Sequence, residues 1–467
     1  MDPVTAYSRQ LISGWGRFPV AESLLSRPAC SQELAVPDQG PVICRGEGRS
    51  YGDAAISSDG VVVITSGAHE VCRFDADSGV LVAEPGLTFA EMLRTVVPLG
   101  WFPPVTPGTK HVSLGGAVAA DIHGKNHHHD GSIGSHIIEL ELLLADGRRV
   151  TCSPLANADL FWVTVGGMGL TGMIVKITLQ LIPIATSSIA AQHVKAPDLE
   201  AAFRCLEDRE YDDQYTVAWI DCLSRGRSLG RSVVMRGHHA QRGELKAEGF
   251  TVNSDAWFDI PIDCPSFVVN PLGVAVFNQL YYSIQGRKTR QFAADFDQFF
   301  YPLDVVGNWN RLYGKRGFLQ YQFMVPEAGA FAGTRRVLER VVSRRRAIFL
   351  AVLKRFGPGN PAPLSFPASG YTLALDLPMT GPDTLRLLDE LDEIVLEYGG
   401  RVYLAKDARL SPDRFRRMYP RLGEWRRVKQ VVDPHERFSS DLSRRLGLSG
   451  GTIAIPHVEE AEHIAHA

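Results

Sequence analysis

VSLGGAVAADIHGKN, at residues 112–126, is the most informative segment of this chain. Gly115 and Gly116 let the backbone approach a ligand closely, because no Cβ stands in the way. Small alanines keep the neighbouring surface flat, and His123 and Lys125 add polar groups beside it. The stretch therefore predicts a seat for a cofactor.

Two further glycine-rich stretches are GEGRSYGD, at residues 46–53, and GGMGLTGMI, at residues 166–174. Backbone N–H groups in such loops form anion nests, so the first stretch can cradle a pyrophosphate, with added charge from Arg49 or a donor from Ser50. Three loops of this kind predict one large ligand contacted by backbone. The spacing is neither that of a dinucleotide-binding Rossmann fold nor that of a P-loop.

The composition is that of a globular protein, with 467 residues, 45% hydrophobic and 22% charged, and a formal net charge of -3. This length exceeds one hydrophobic core, so we expect two domains, and the charge makes nucleic acid an unsuitable main partner. The seven cysteines are scattered without a CxxC pair, which argues against zinc and a disulfide framework. Since no signal peptide or membrane-spanning run is recognisable, we expect a soluble or peripheral protein.

Hydrophobic periodicity predicts how the chain is organised. Residues 42–183 alternate β-rich runs with glycine turns and a helix near residues 89–97, which predicts an α+β unit, and Asp146-Gly147 predicts a hairpin turn. Farther on, period-two alternation predicts strands at residues 317–326 and 371–378, each with one face toward a pocket or core, and a helix at 334–346. We predict boundaries at 1–186, 187–400 and 401–446, with a disordered tail at 447–467.

The glycine loops together resemble the FAD-binding (PCMH-type) domain of the vanillyl-alcohol-oxidase superfamily. Later segments, FLQYQF at 318–323, FGPGNPAPLSFP at 356–367 and YLAKDAR at 403–409, resemble its polyprenylphosphoryl-ribose oxidase family, over about residues 14–446. The resemblance implies an α+β fold with a two-subdomain FAD-binding domain and a substrate domain built on an antiparallel sheet with flanking helices. Residues 401–446 would return to complete the active site.

The resemblance also implies the cofactor site. Where several relatives bond a histidine covalently to the flavin, this chain has Arg49, so we predict noncovalent FAD. The predicted cofactor-binding residues are Arg45, Gly46, Gly48, Arg49, Ser50, Tyr51, Gly52, Asp53, Gly108, Ser113, Gly115, Gly116, Ala120, Ile122, His123, Ile174 and Tyr403.

Oxidation of a secondary alcohol sends a hydride to the flavin and a proton to a base. We predict Lys406 as the main catalytic group, because a buried ammonium can stabilise the developing alkoxide and exchange protons. His123 is the second candidate, and a satisfied structural histidine is its alternative. The predicted substrate residues are Lys125, Trp219, Tyr313, Gln320, Gln322, Lys354 and Ala374.

The chain departs from its family in the segment YTLALDLP. Ala374 stands where the family commonly has a cysteine, and Thr372 where it has an asparagine. The hydride chemistry needs no thiol, but covalent capture of nitroaromatic inhibitors activated at the flavin should be lost. Both changes can alter which substrate the protein binds, since both positions can line the pocket.

The resemblance implies oxidation of the 2-hydroxyl of a polyprenylphosphoryl-β-D-ribose to the 2-keto form, the first half of an epimerisation to the arabinose donor for cell-envelope polysaccharide. Oxidation of a soluble sugar, alditol or aldonolactone is one alternative, and a binding protein without turnover is another. A separate NAD(P)H-dependent short-chain reductase would complete the epimerisation.

The basic residues between 401 and 445 suit a lipid phosphate or an anionic membrane surface, or else form a solvated face. We expect either a cytoplasmic protein or one in peripheral contact with the inner membrane, at its cytoplasmic or its periplasmic face. The histidines at 127–129 predict no metal site, because adjacent residues seldom converge on one ion.

Overall fold

The computed structural model describes residues 7–38, 40–208, 213–252, 258–265 and 269–450. Residues 8–180 form two sheets, and Trp101–Phe102 pairs with Ile182–Pro183 as a separate pair of short strands. The first is ordered β1-β2-β4-β3, with β2 and β3 parallel to β4, and the second, antiparallel sheet is ordered β5-β6-β10-β8-β9. Their strands are β1 (Ser8–Ser13), β2 (Val20–Ser26), β3 (Val42–Arg45), β4 (Val61–Ile64), β5 (Val71–Asp75), β6 (Val80–Ala83), β7 (Trp101–Phe102), β8 (Ile137–Leu143), β9 (Arg149–Cys152), β10 (Met173–Gln180) and β11 (Ile182–Pro183).

The later chain forms one large antiparallel sheet, ordered β16-β12-β14-β13-β19-β20-β18-β21, while β15 pairs with β17. These strands are β12 (Ser188–Ala196), β13 (Tyr215–Ile220), β14 (Ser232–His239), β15 (Phe258–Asp259), β16 (Phe292–Asp295), β17 (Val306–Gly307), β18 (Phe318–Pro326), β19 (Ala351–Phe356), β20 (Gly370–Pro378) and β21 (Arg401–Val402).

Helices alternate with the strands along the chain. They are α1 (Phe89–Val96), α2 (Leu114–Ala119), α3 (His127–Asp130), α4 (Ala158–Thr164), α5 (Leu199–Glu207), α6 (Pro271–Gln285), α7 (Phe296–Phe300), α8 (Ala330–Ser343), α9 (Pro382–Glu397), α10 (Pro412–Met418), α11 (Leu422–Val432) and α12 (Asp441–Leu446). Within the described residues, no helix combines the length and apolarity needed to cross a bilayer.

The local predictions agree with the structure where local signals are strong. The predicted helix at 89–97 is α1, whose capping box pairs Thr88 with Glu91. The predicted hairpin is β8–β9, with Gly147 at φ 84° in its turn. The helix predicted at 334–346 is α8, which starts four residues earlier and ends before Arg345, whose φ of 51° cannot continue a right-handed helix.

The large sheet separates a core from a cavity. On β18, Leu319, Tyr321 and Phe323 point into the main core beneath α8 and α9, whereas Gln320 and Gln322 line the opposite, cavity side. The predicted period-two alternation is confirmed here. Both faces of the strand are buried, since the cavity is enclosed by the glycine loops.

The segment after residue 401 returns to the first sheet. Phe438 bridges to Val42, and the Arg445 guanidinium lies 2.8 Å from the Asp53 carboxylate. The tail predicted to begin at residue 447 begins too early, because Leu448 is buried in the main core and Ser449 hydrogen-bonds to Ser443. Residues 451–467 of that predicted tail lie outside the described residues, and the domain boundaries stay predictions.

Candidate active site

The three glycine loops and the large sheet enclose one cavity of about 340 Å³. The predicted residues that line it are Gly46, Gly48, Arg49, Ser50, Tyr51, Gly108, Ser113, Gly115, Gly116, Ala120, Ile122, His123, Lys125, Ile174, Trp219, Gln320, Gln322, Lys354, Ala374, Tyr403 and Lys406. The third loop adds Met168, Gly169 and Gly172. Residues from far apart in the sequence thus meet in one place.

Close packing explains several of the glycines. A Cβ on Gly46 would lie 1.9 Å from Ser113 Oγ, so only glycine lets the first loop touch the start of α2. A Cβ on Gly108 would meet no protein atom within 4 Å, so this backbone is open to the cavity. The first loop also places the Arg49 guanidinium 4.0 Å from the Trp15 ring centroid.

Four predicted site residues lie behind the cavity wall in the described structure: Arg45, Gly52, Asp53 and Tyr313. Arg45 donates to the carbonyl oxygen of Ser13, and Asp53 is held by Arg445. Gly52 and Tyr313 serve the packing of the fold, as their contacts show.

Gly52 allows close packing of two loops, because a Cβ there would lie 1.9 Å from the carbonyl oxygen of Asp407. The Tyr313 ring stacks on Phe318, with centroids 4.2 Å apart. The sequence motifs alone did not separate residues that support the loops from residues that line the cavity, because both kinds occur in the same segments of sequence.

His123 is a neutral, buried ring. Gln322 Nε2 donates to His123 Nε2 at 2.8 Å, so the ring carries its proton on Nδ1, which has no partner in the described part of the chain. Burial, with nearby Lys354, His127 and Lys406, holds the His123 pKa well below its ordinary value. With Nε2 occupied, His123 is arranged to donate a hydrogen bond from Nδ1 rather than to accept a proton.

Lys406 ends a short turn after β21, and its Nζ lies 3.8 Å from the centroid of the Tyr51 ring. Tyr51 N donates to the carbonyl oxygen of Ala405 at 2.9 Å, which fixes this turn against the first glycine loop. Burial lowers the Lys406 pKa to about 7, although Asp376 opposes that shift. The amine can therefore exchange protons near neutral pH.

Asp376 is a functional candidate that motif inspection missed. It is 1% exposed and accepts a hydrogen bond from Gln320 Nε2 at 2.6 Å, while its Oδ2 has no partner among the described residues. Burial raises its pKa to about 7. Alternation along β20 could have indicated it, because Asp376 follows Thr372 and Ala374 on one face of the strand.

Two further lysines face the cavity. Burial lowers the pKa of Lys354 to about 8 and, with Lys354 nearby, that of Lys125 to about 7. Lys125 Nζ donates to the carbonyl oxygen of Phe299. Within the described residues, neither lysine forms a salt bridge, so this end of the cavity is arranged for an anion.

Strand register aligns the cavity face of the sheet. Trp219 pairs with Val352, which pairs with Ala374, which in turn pairs with Gln322. Ala374 therefore lies in the middle of the wall. Tyr281 of α6 also lines the wall, with its ring centroid 4.6 Å from that of Trp219. It was not among the predicted substrate residues.

Several basic residues between 401 and 445 form buried ion pairs. Arg445 pairs with Asp53 and Asp407, and Arg409 pairs with buried Asp392. These charges are used internally, whereas Arg416, Arg417, Arg426 and Arg427 are exposed, so the predicted contact with a lipid phosphate or an anionic surface stays a prediction.

The histidines of α3 turn to separate partners. His127 Nδ1 accepts a hydrogen bond from Gly357 N at 3.2 Å, and His128 Nε2 lies 3.1 Å from the carbonyl oxygen of Asp213. His129 Nδ1 lies 2.9 Å from Asp130. The three rings thus contact three different residues, and His127 Nε2 and His128 Nδ1 have no hydrogen-bond partner among the described residues.

Comparison with known families agrees with this geometry. A family model described as an FAD binding domain matches residues 33–153, which contain the first two glycine loops. A model described as D-arabinono-1,4-lactone oxidase matches residues 368–446, which contain Lys406 and Tyr403.

Whole-chain similarity extends over both regions. Decaprenylphosphoryl-β-D-ribose oxidase of Mycolicibacterium smegmatis is 37% identical over 94% of this chain and 97% of its own length. An uncharacterized protein in the mprA 5′ region of Streptomyces coelicolor is 37% identical over 78% of this chain and 100% of its own length. A xylooligosaccharide oxidase from Myceliophthora thermophila shares the fold, with a TM-score of 0.65, 14% identity and 92% coverage of each chain.

The cavity fits FAD on its own chemistry. Buried Arg49 Nε and His123 Nδ1 lack partners in the described part of the protein, and a phosphate or a flavin heteroatom would satisfy them. The backbone at Gly108 is open to a ligand. The first two loops would hold the pyrophosphate, and residues 119–123 with Tyr403 would contact the ring system. FAD is the cofactor of this site.

Proposed function

Because the chain belongs to the decaprenylphosphoryl-β-D-ribose oxidase family of FAD-dependent oxidoreductases, we propose that it oxidises the 2-hydroxyl of a polyprenylphosphoryl-β-D-ribose to a 2-keto group. The observation that carries this proposal is the position of three cavity lysines, Lys406, Lys354 and Lys125, beside the cofactor loops. Lys406 suits proton transfer, and Lys354 and Lys125 suit binding of a phosphate.

FAD, when bound, supplies the acceptor for the hydride that leaves C2 of the sugar. The protein has to remove the hydroxyl proton as the C–H bond breaks. Lys406 in its neutral form accepts that proton, which its pKa of about 7 permits at neutral pH. The resulting ammonium would then lie close to the developing C=O bond, where positive charge stabilises the alkoxide.

Lys354 and Lys125 account for recognition of a phosphate. An anion placed between two partly desolvated lysines replaces the water that they lost on burial and keeps both charged. Trp219 and Tyr281 offer flat apolar surfaces farther along the wall. The cavity thus combines a polar end for a sugar phosphate with an aromatic end suited to the first units of a prenyl chain.

Gln322 fits the role of holding the sugar. Its amide nitrogen donates to His123 and to Thr372 Oγ1, at 2.8 and 3.1 Å, which fixes the side chain. The amide oxygen remains available as an acceptor for a sugar hydroxyl. Gln320 also lines the cavity, but its amide nitrogen donates to the Asp376 carboxylate.

The finer features remain part of the proposal: noncovalent FAD, an NAD(P)H-dependent reductase that completes the epimerisation, and contact with the membrane that holds the substrate. Arg49 occupies the first loop without a histidine that could bond to the flavin. Acid precipitation should therefore release all of the flavin into the supernatant, and flavin retained in the pellet would contradict this part.

The proposal is tested by anaerobic mixing of the FAD-loaded protein with polyprenylphosphoryl ribose while the flavin absorbance is followed. Bleaching is expected with the phosphorylated ribose and not with a free alditol. The match of residues 368–446 to D-arabinono-1,4-lactone oxidase makes a soluble lactone or sugar the second candidate substrate. Bleaching by such a compound alone would replace the proposal with that function.

A further inference from the structure

Helix α6 exposes an unusually apolar surface. Its sequence, PLGVAVFNQLYYSIQ, has no charged residue. Leu272, Val276, Leu280 and Ile284, spaced by four residues, are 75%, 54%, 56% and 55% exposed. This spacing places them in one stripe along the helix, and such a stripe is typical of a surface that binds something apolar.

The opposite side of α6 is fixed to the cavity wall. Val274 and Asn278 are buried, and Asn278 Nδ2 donates to Asp221 Oδ1 at 2.6 Å. Tyr281 lines the cavity against Trp219. The helix therefore lies between the active site and the apolar stripe.

Positive charges lie at both ends of this helix. Pro271 at its start shares a small cavity of about 180 Å³ with Arg316, Arg345 and Arg346. At its end follow Arg287, Lys288 and Arg290, and residues 269–290 contain no Asp or Glu. An apolar stripe between clusters of cations matches the interfacial region of an anionic bilayer, where acyl chains lie below acidic headgroups.

We propose that α6 is the surface by which this protein docks on an anionic membrane, and that docking places the cavity wall next to the lipid that carries the substrate. The inference rests on the proposed function for the nature of that substrate, but docking itself depends only on the helix. A protein partner or a second copy of the chain is the competing occupant. Of the cations near the start of α6, Arg346 lies 3.9 Å from Asp383. The charge pattern still favours lipid, because residues 269–290 supply cations with no acidic residue among them, whereas a protein interface typically mixes both signs.

The test is sedimentation of the FAD-loaded protein with vesicles of phosphatidylglycerol and phosphatidylcholine, and with vesicles of phosphatidylcholine alone. Binding is expected to the anionic vesicles and to fall at least about tenfold in the double variant Val276→Glu/Leu280→Glu. The matched control is Leu155→Glu/Val431→Glu, since these side chains are 98% and 78% exposed elsewhere. Equal vesicle binding by both variants would overturn the proposal.

Two further measurements separate the competing explanations. Dimerisation of the parent protein in analytical ultracentrifugation, abolished by Val276→Glu/Leu280→Glu and without vesicle binding, would assign the stripe to a second copy and overturn membrane docking. A water-soluble farnesylphosphoryl ribose should reduce the flavin equally in parent and variant, while turnover of vesicle-embedded long-chain substrate falls in the variant. If neither substrate reduces the flavin yet vesicle binding persists, the proposed function fails and the docking surface stands.

Discussion

Lys406 Nζ lies 3.8 Å from the centre of the Tyr51 ring, although the two residues are far apart in the sequence. The backbone hydrogen bond from Tyr51 to Ala405 produces this relationship by joining the first glycine loop to the turn that carries the lysine. A cofactor-binding loop thereby positions the residue that we propose as the base.

Replacing Lys406 should slow flavin reduction without preventing FAD binding. Lys406→Met is expected to slow anaerobic flavin reduction by about 10²–10⁴-fold, the usual contribution of a positioned acid or base. Stopped-flow absorbance measures the rate, and the flavin spectrum verifies that FAD is still bound. Lys176→Met, at an exposed position, serves as control, and reduction at the parental rate in Lys406→Met would exclude the lysine as base.

The rate of flavin reduction should depend on pH with a midpoint near the Lys406 pKa of about 7. Burial lowers that pKa, so the amine is neutral above it and protonated below it. Only the neutral form can accept the hydroxyl proton, and the rate should therefore fall about tenfold per pH unit on the acidic side. A flat profile between pH 5 and 9, about two units on each side, would contradict proton transfer to Lys406.

Asp376→Asn should move this profile. The Asp376 carboxylate raises the Lys406 pKa against the larger effect of burial, so removing its charge should lower that pKa and shift the acidic limb to lower pH. The shift in the Lys406 pKa should be limited, because burial raises the pKa of Asp376 to about 7. The Asp376 carboxyl is therefore partly protonated, and carries only part of its charge, near neutral pH. Asp376→Glu should restore the parental midpoint, whereas a loss of rate with no shift would indicate a purely structural role.

Lys354→Met should weaken substrate binding rather than catalysis. A hydrogen bond to a charged group contributes about 1.5–3 kcal/mol, so KM for the phosphorylated ribose should rise about 10–100-fold with kcat little changed. Steady-state kinetics measure both parameters. A ribose analogue without the phosphate is the control substrate, and an equal effect on its KM would argue against phosphate binding by this lysine.

Nitroaromatic compounds activated at the flavin should leave the parent protein without a covalent adduct, since Ala374 has no thiol. Ala374→Cys should gain such an adduct, because this position lies in the cavity wall between Val352 and Gln322. Intact-protein mass spectrometry distinguishes the two. An adduct on the parent protein would show that another nucleophile lies within reach.

The buried pair of Asp53 and Arg445 should matter for stability rather than for the cofactor. Arg445→Met leaves the Asp53 carboxylate in a buried site without its main partner, which typically costs about 3–5 kcal/mol of unfolding free energy. Thermal unfolding should show a clear drop in Tm. Arg73→Met, at a largely exposed arginine, should change Tm little.

Local patterns predicted much of the fold. The capping box of α1, the Asp146-Gly147 hairpin and the alternation in β18 and β20 each depend on interactions between near neighbours in the sequence. Helix ends were less predictable. Helix α8 ends just before Arg345, whose backbone is left-handed, and no local sequence pattern predicts that conformation.

The amino-acid sequence alone predicts the chemical groups of the site: three glycine loops for FAD, a candidate catalytic lysine in YLAKDAR, and glutamines alternating on one strand. Tertiary structure decided which residues act together. The folded chain places Asp53 and Gly52 behind the wall, brings Asp376 close to Lys406, and buries Arg409, Arg444 and Arg445 while leaving the apolar stripe of α6 exposed. The reason is physical, since burial, pKa and charge pairing depend on neighbours that only the folded chain brings together. The segment at 112–126 predicts a cofactor seat, but Lys406, the proposed base, lies about 280 residues away and comes close to His123 of that segment only in the folded chain.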